Sequence, residues 1–256
     1  MTRKRYNLLK SIFPWAVPIG MILIWEVICR LFHVRQTILP SPSVVLVSLY
    51  TYFPIIAAQA LQTLYTTLVG FAIAVIFGLL FGMAIGSSAL AYAALYRLLV
   101  AFNTVPKVAL IPIFVVWFGI GAVPAILTAF SLAFFPIVVN VATGIATVEP
   151  ELRDVMRSLQ AREDQILLKI GLPRTLPYFF GSLKIAITSA FVGSVTSETI
   201  ASNNGIGYLM ISASSQFNVA LVFAGVAVVG FMGVVLYEIF DLMERRMTGW
   251  STRTSE

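Results

Sequence analysis

Charge is what this sequence has least of. Only 11% of its 256 residues are Asp, Glu, Lys or Arg, against about 25% in ordinary soluble domains. So few polar groups could not cover a water-soluble domain of this size, which excludes one. Cysteine is down to one residue, Cys29, inside an apolar stretch. That excludes an intrachain disulfide and a cysteine metal cluster. The single histidine, His33, has no second His or Cys near it in the sequence, so no metal site is expected. With scattered carboxylates as the only other reactive groups, no catalytic acid, base or nucleophile set is expected, and the chain reads as no enzyme. A Gly-x-x-x-x-Gly-Lys-Ser/Thr segment is missing too. Gly119-Ile-Gly121 and Gly205-Ile-Gly207 read as turns at helix ends, so ATP binding by this chain is not expected.

What the chain has is apolar surface. Apolar residues make up 59% of it, and the mean hydropathy is +0.93. Spans of about 20 apolar residues fit into it several times. The pattern predicts an all-α, polytopic membrane protein forming a single domain over 1–256. Six spans are placed at about 12–31, 61–86, 95–118, 124–146, 177–200 and 219–242. The basic N-terminus followed by an apolar run is similar to a signal peptide. The run from Ser11 to Leu31 is too long for one and lacks a small-x-small cleavage site, so it reads as an uncleaved first span.

The net charge of +6 is distributed by side. With the N-terminus inside, thirteen of the 17 Lys and Arg residues fall in cytoplasmic segments: Arg3, Lys4, Arg5, Lys10, Arg97, Arg153, Arg157, Arg162, Lys169, Arg174, Arg245, Arg246 and Arg253. Arg30 and Arg35 fall outside, and Lys107 and Lys184 within or near spans. This bias predicts both termini in the cytoplasm and explains the basic balance. No soluble basic domain exists to hold nucleic acid, which is excluded as a partner.

Small residues recur every four positions in the second span, at Gly70, Ala74, Gly78, Gly82 and Gly86, and in the fifth, at Ser182, Ala186, Ala190 and Ser194. Each set lies on one helix face and predicts close helix packing in lipid. Pro106, Pro112 and Pro136 fall inside spans. Each removes a backbone donor and favours a kink, which suits a pathway or a mere packing irregularity. The ionisable residues inside the spans carry two readings each. Glu26 and Glu198 either serve function or hydrogen-bond a neighbouring helix or loop. Lys107 and Lys184 are the cationic candidates for an anion pathway, and each either lines it or snorkels. Phe102, Phe134 and the aromatics around them either pack or line a route for an organic solute.

The one long polar insertion runs over 149–175. Pro150 suits a helix start. Leu152, Val155, Met156 and Leu159 then fall at i, i+3, i+4 and i+7, one amphipathic face. Glu149, Glu151, Asp154, Glu163 and Asp164 disfavour anionic lipid, so the face fits a groove on a soluble partner better.

This loop resembles the EAA signature of binding-protein-dependent ABC importer permeases: Glu-Ala-Ala, three residues, Gly, nine residues, Ile-x-Leu-Pro. Here Asp154-Val155-Met156 stands first and Gln160 takes the glycine position. After nine residues comes Ile170-Gly171-Leu172-Pro173, so the spacing is kept. Gln160 in place of glycine predicts a more regular helix there. Leu39-Pro-Ser-Pro-Ser43, Pro106-Lys-Val-Ala-Leu-Ile-Pro112 with Trp117-Phe-Gly-Ile-Gly121, and Glu198 ahead of Gly205-Ile-Gly-Tyr-Leu209 resemble the nitrate/sulfonate/bicarbonate (taurine-type) branch.

The resemblance implies the translocation subunit of an ATP-driven importer in a bacterial inner membrane, with its core over 58–245. It implies a homodimer, two cytoplasmic ATP-binding subunits and a periplasmic or lipid-anchored substrate-binding protein, with ATP bound by the partners and no cofactor in this chain. The loop would dock on the ATPases through Glu151, Leu152, Asp154, Val155, Met156, Arg157, Leu159, Gln160, Ala161, Ile170 and Pro173. The solute would be a small anion (sulfonate, nitrate, bicarbonate) or a small aromatic or heterocyclic compound. The competing class, an ion-coupled secondary carrier, predicts inverted repeats and matched broken helices, and neither is clear in the sequence.

Overall fold

The structure, a computed structural model, describes residues 3–148 and 150–248, with side chains from Ala16 onward except at Pro150, Arg153, Glu163, Asp164 and Leu167. Glu149 and Arg253, used in the loop and charge readings above, lie outside the described residues. Every described element is helical: α1 (Arg3–Leu31), α2 (Pro42–Thr51), α3 (Phe53–Gly86), α4 (Ala89–Thr104), α5 (Ile111–Phe118), α6 (Ala122–Ala146), α7 (Pro150–Ser158), α8 (Glu163–Ile166), α9 (Leu172–Ala201), α10 (Ile206–Ser215) and α11 (Val219–Met247). A 3₁₀ turn, Lys107–Leu110, precedes α5, and a π turn, Leu167–Gly171, precedes α9.

Four helical segments among the described residues are long and apolar enough to cross a membrane: α3, α6, Leu168–Ala201 and α11. The expected span over 95–118 is broken. Helix α4 and the Lys107–Phe118 segment meet at a 75° bend and make a fifth span if counted together. The break has a local cause. Pro106 offers no N–H to the preceding turn, and Val105 before it is pushed to extended backbone, at φ −65° and ψ 126°. The expected first span falls within α1.

The chain divides into two compact units, Gln59–Tyr208 with Val229–Glu256, and Met1–Ala58 with Leu209–Val228. In the first, α3 lies against α6 along the glycine ladder. A Cβ at Gly78 would stand 2.7 Å from Ile137 Cγ2, and one at Gly82 2.7 Å from Val141 Cβ. At Gly70 and Gly86 the obstacles are the carbonyls of Ile126, at 2.6 Å, and Ala142, at 2.8 Å. Ala74 between them is fully buried. Backbone therefore meets helix directly, which maximises dispersion contacts where lipid offers no hydrophobic drive. Helix α9 packs on α6 as well, with Ser182, Ala186, Ala190 and Ser194 all buried.

In the other unit Val45, Ile56, Ala213, Leu221 and Ala224 form the core, and Trp25 meets Phe223 at 5.7 Å between ring centroids. Helix α2 has ten residues, a rise of about 15 Å, half the ~30 Å of a bilayer's hydrocarbon. Its exposed amides need partners inside the protein. Glu26 supplies them: its carboxylate accepts from the Ser43 N–H at 2.9 Å and the Ser43 hydroxyl at 2.8 Å, and pairs with Arg30 at 2.6 Å. The Leu39-Pro-Ser-Pro-Ser43 segment is thus a helix start capped from α1, with Pro42 at its first position.

Candidate functional site

The polar loop folds as its pattern predicts for nine residues and then departs from it. Helix α7 ends at Ser158. Gln160, expected to continue a regular helix, instead has φ +59°. The Ala161 N–H reaches the Met156 carbonyl at 3.0 Å and the Gln160 N–H the Arg157 carbonyl at 2.9 Å. These two bonds make a Schellman motif, which requires a left-handed residue where Gln160 stands. The position therefore keeps the geometry that a glycine would provide, without the glycine. Val155 is 56% and Leu159 72% exposed, whereas Leu152 and Met156 are half-buried. Glu151, Asp154 and Arg157 are exposed on the same short helix, and Ala161 is half-buried. Ile170 lies in the π turn and Pro173 in the first turn of α9, where a missing N–H costs nothing. Helix α7 and its closing turn thus present Val155 and Leu159 on a polar surface, Leu168 and Leu172 are exposed further on, and the loop runs through a π turn into a long helix.

At the bend between α4 and α5, Lys107 is buried. Its ammonium donates to the Asn103 carbonyl at 2.7 Å and the Asn103 side-chain oxygen at 2.8 Å, and lies 4.8 Å from the Phe135 ring centroid. It occupies the C-terminal end of α4, where unpaired carbonyls gather negative partial charge. Phe102, a turn earlier, is exposed. Phe134 is half-buried and packs against Phe81, Phe130 and Phe135 at 5.3–6.0 Å. Lys184 does not snorkel: it is held by Asp241 at 3.0 Å and Glu244 at 2.6 Å, both on α11.

The last candidate sits near the other end of α9. Glu198 is 2% exposed. Oε2 accepts from the Thr63 hydroxyl at 2.7 Å and the Gly207 N–H at 3.2 Å; Oε1 lies 3.2 Å from the Thr66 and 3.4 Å from the Ser194 hydroxyl, which also bond each other, so that one of the two donates to it. The neighbouring amides are met as well. The Gly205 N–H donates to Gln59 Oε1, and the Ile206 N–H to the Thr63 oxygen at 2.9 Å. Gly205 has φ +102°, and a Cβ there would collide with the Glu198 carboxylate. Three successive amides at the start of α10 are thus satisfied by side chains. The carboxylate's balancing positive potential is that helix terminus rather than a cation. Among the described residues no contact joins Glu198 to Lys107. The sequence reading passed over Gln59, Thr63 and Thr66, although their spacing of four and three places a polar ridge on an otherwise apolar span. It also passed over Asn103 and Asp241, whose partners no periodicity reveals.

Among the described residues no group of His, Cys, Asp and Glu could hold a metal ion. The described residues combine an exposed polar loop, a bent apolar segment and a buried polar cluster on long helices.

Comparison with known proteins agrees with this arrangement. The chain is 31% identical over 253 residues to a putative aliphatic sulfonates transport permease of Bacillus subtilis (strain 168), covering 97% of this chain and 90% of that one. It is 28% identical over 242 residues to a formylaminopyrimidine transport permease of Halalkalibacterium halodurans, covering 94% and 96%. It is also 28% identical over 237 residues to the taurine transport permease of Escherichia coli (strain K12), covering 90% and 86%. The fold is similar to that of an inward-facing methionine ABC transporter structure, with a TM-score of 0.67 at 19% identity, covering 77% of this chain and 98% of that one. Residues 74–249 match the family model for the inner membrane component of binding-protein-dependent transport systems, and the chain belongs to that family of non-enzymatic ABC transporter permeases.

Proposed function

We propose that two copies of this chain form the translocation pathway of an ATP-driven importer, fed by an external binding protein and driven by two cytoplasmic ATPases that bind the ATP. In this reading the chain crosses a bacterial inner membrane six times, α1 being the first span, with both termini in the cytoplasm. The loop over 149–175 is the ATPase contact: α7 inserts its apolar side chains into a groove on the partner, with Glu151, Asp154 and Arg157 at the rim. The observation that carries the reading is the exposure of Val155 and Leu159 on a helix held in place by its own Schellman turn. An apolar pair exposed on a polar loop is a docking feature, since lipid would select against the surrounding carboxylates.

The solute class follows the relatives, whose names specify aliphatic sulfonates, taurine and a formylaminopyrimidine. A small sulfonate or small heterocycle fits a chain whose two intramembrane lysines are already engaged, one by Asn103 and one by carboxylates. A solute of high negative charge would need free cationic groups on its route.

Co-expression with the partner ATPase tests the docking. The wild-type chain is expected to co-elute with it, and Leu159→Asp, which places a charge on the docking face, is expected to abolish co-elution while the permease stays folded and monodisperse. Unchanged co-elution of the variant would remove the loop from the interface. Absence of any ATPase partner would overturn the importer reading in favour of a secondary carrier.

A further inference from the structure

We propose that Glu198 is a positioning residue for transport, the point at which movement of α9 is passed to α3 and to the first turn of α10. The proposal rests on the docking reading above and extends it to the far end of the same helix. Helix α9 follows the docking loop directly through the π turn. It contains 30 residues, a rod of about 45 Å. At its loop end lie Ile170 and Pro173; near its far end lies Glu198. Beyond its internal Pro177 the helix packs on α6 through small residues, and what its movement carries along depends on what its far end holds.

The far end holds three elements. Through Glu198 it grips Thr63 and Thr66 of α3 and the Gly207 amide of α10. Through the Ala201 carbonyl it accepts the Gly121 N–H from the turn between α5 and α6, at 3.1 Å. The Ala201 contact is one backbone bond. The Glu198 contact is a buried carboxyl group with four polar partners, and a buried network of this kind is stronger than a single bond. The partners are mixed in kind, three hydroxyls and one backbone amide. A hydroxyl can turn its hydrogen away, but the Gly207 N–H cannot. An amide at position 198 therefore has one orientation open to it, its oxygen toward Thr63 and Gly207 and its NH2 toward hydroxyls that must turn to accept, and it cannot carry the charge of a carboxylate. A 2% exposed carboxyl group, held by α3, by the start of α10 and by Ser194 of its own helix, is closed to a passing solute in this conformation. Its chemistry is that of a joint.

The test uses the whole importer, permease with ATPase and binding protein, in proteoliposomes. Co-elution of the complex, ATP hydrolysis and solute uptake are measured on the same preparation. Glu198→Gln is expected to keep co-elution and to hydrolyse ATP at close to the wild-type rate while uptake falls at least ten-fold, so that solute moved per ATP falls by the same factor. Thr66→Val, which removes one hydroxyl beside Oε1 and leaves the carboxyl group and the α10 amides with their partners, is expected to give the same split to a lesser degree. It carries the comparison if Glu198→Gln does not assemble. Glu198→Asp is expected to recover part of the lost coupling. If uptake and hydrolysis fall together in proportion to the complex recovered, Glu198 only holds the fold and the proposal is overturned. Unchanged uptake overturns it as well. A wild-type chain that recovers no ATPase sinks the docking reading instead, an outcome the same co-elution identifies separately.

Discussion

Gln160 shows how a single residue can keep a backbone geometry while losing the side chain that suits it. Its left-handed conformation costs an L-residue roughly 1–2 kcal/mol, and the two hydrogen bonds of the Schellman turn hold it there. The same device recurs twice. His33 (φ +48°) closes α1 through Val34 N–H to Cys29 O, and Phe217 (φ +57°) closes α10 through Asn218 N–H to Ala213 O. Gln160→Gly should therefore stabilise the loop by about 1 kcal/mol, less the entropy glycine loses on folding. Gln160→Val should destabilise it by more than that, since a β-branched residue suits φ > 0 least. Thermal unfolding of the purified permease in detergent, read by proteolysis at the loop, distinguishes the two. Lys184 makes a second argument at this scale. Its ion pairs with Asp241 and Glu244 lie among partly buried groups. Lys184→Met should cost about 2–3 kcal/mol, below the 3–5 kcal/mol of a fully buried pair, and a further Glu244→Gln change should return part of it, since Asp241 keeps Arg245 at 2.7 Å. A double-mutant cycle on unfolding midpoints checks this. The sequence shows Lys184 in an apolar helix but not its partner 57 positions away, because contacts between distant helices leave no trace in periodicity.

The element scale is where the sequence is most readable. Spacing of four placed Gly70, Gly78, Gly82 and Gly86 on one face of α3, and that face is the one against α6. Gly82→Leu should drive its side chain into Val141 and destabilise by about 1–3 kcal/mol through overpacking. Gly181→Ala, in α9, where a Cβ meets nothing within 4 Å, should be neutral or slightly stabilising by helix propensity. Equal unfolding midpoints for the two variants would argue against the packing of α3 on α6. The breaks were harder to read than the faces. Pro106 announces a kink but not a 75° bend with Lys107 folded back to close the α4 terminus. The π turn before α9 has no sequence mark of its own. Helices α2 and α10 were not placed because ten apolar residues are too few for a span, and helices that short need partners for their amides. Those partners are Glu26 and Glu198, so the two glutamates that looked ambiguous in the sequence have a shared structural reason to exist.

At the scale of the whole molecule, orientation is the property that the bias of basic residues predicts and the fold leaves to experiment. Helix α9 alone separates the docking loop from the exposed turn at Asn203 and Asn204. If α9 crosses the membrane once, those two segments face opposite compartments whatever the number of spans elsewhere. The single native cysteine makes the test clean, since Cys29 is buried and its thiol points to the Leu39 carbonyl. On a Cys29→Ser background, Ser158→Cys should react with a membrane-impermeant maleimide only in inside-out vesicles, and Asn204→Cys only in intact spheroplasts. Ser158 is exposed beside the docking face, so added ATPase should also protect Ser158→Cys from the reagent while leaving Asn204→Cys untouched. Labelling of both from one side would mean that α9 turns back within the membrane. The lever from docking loop to Glu198 would then have no second compartment to act on.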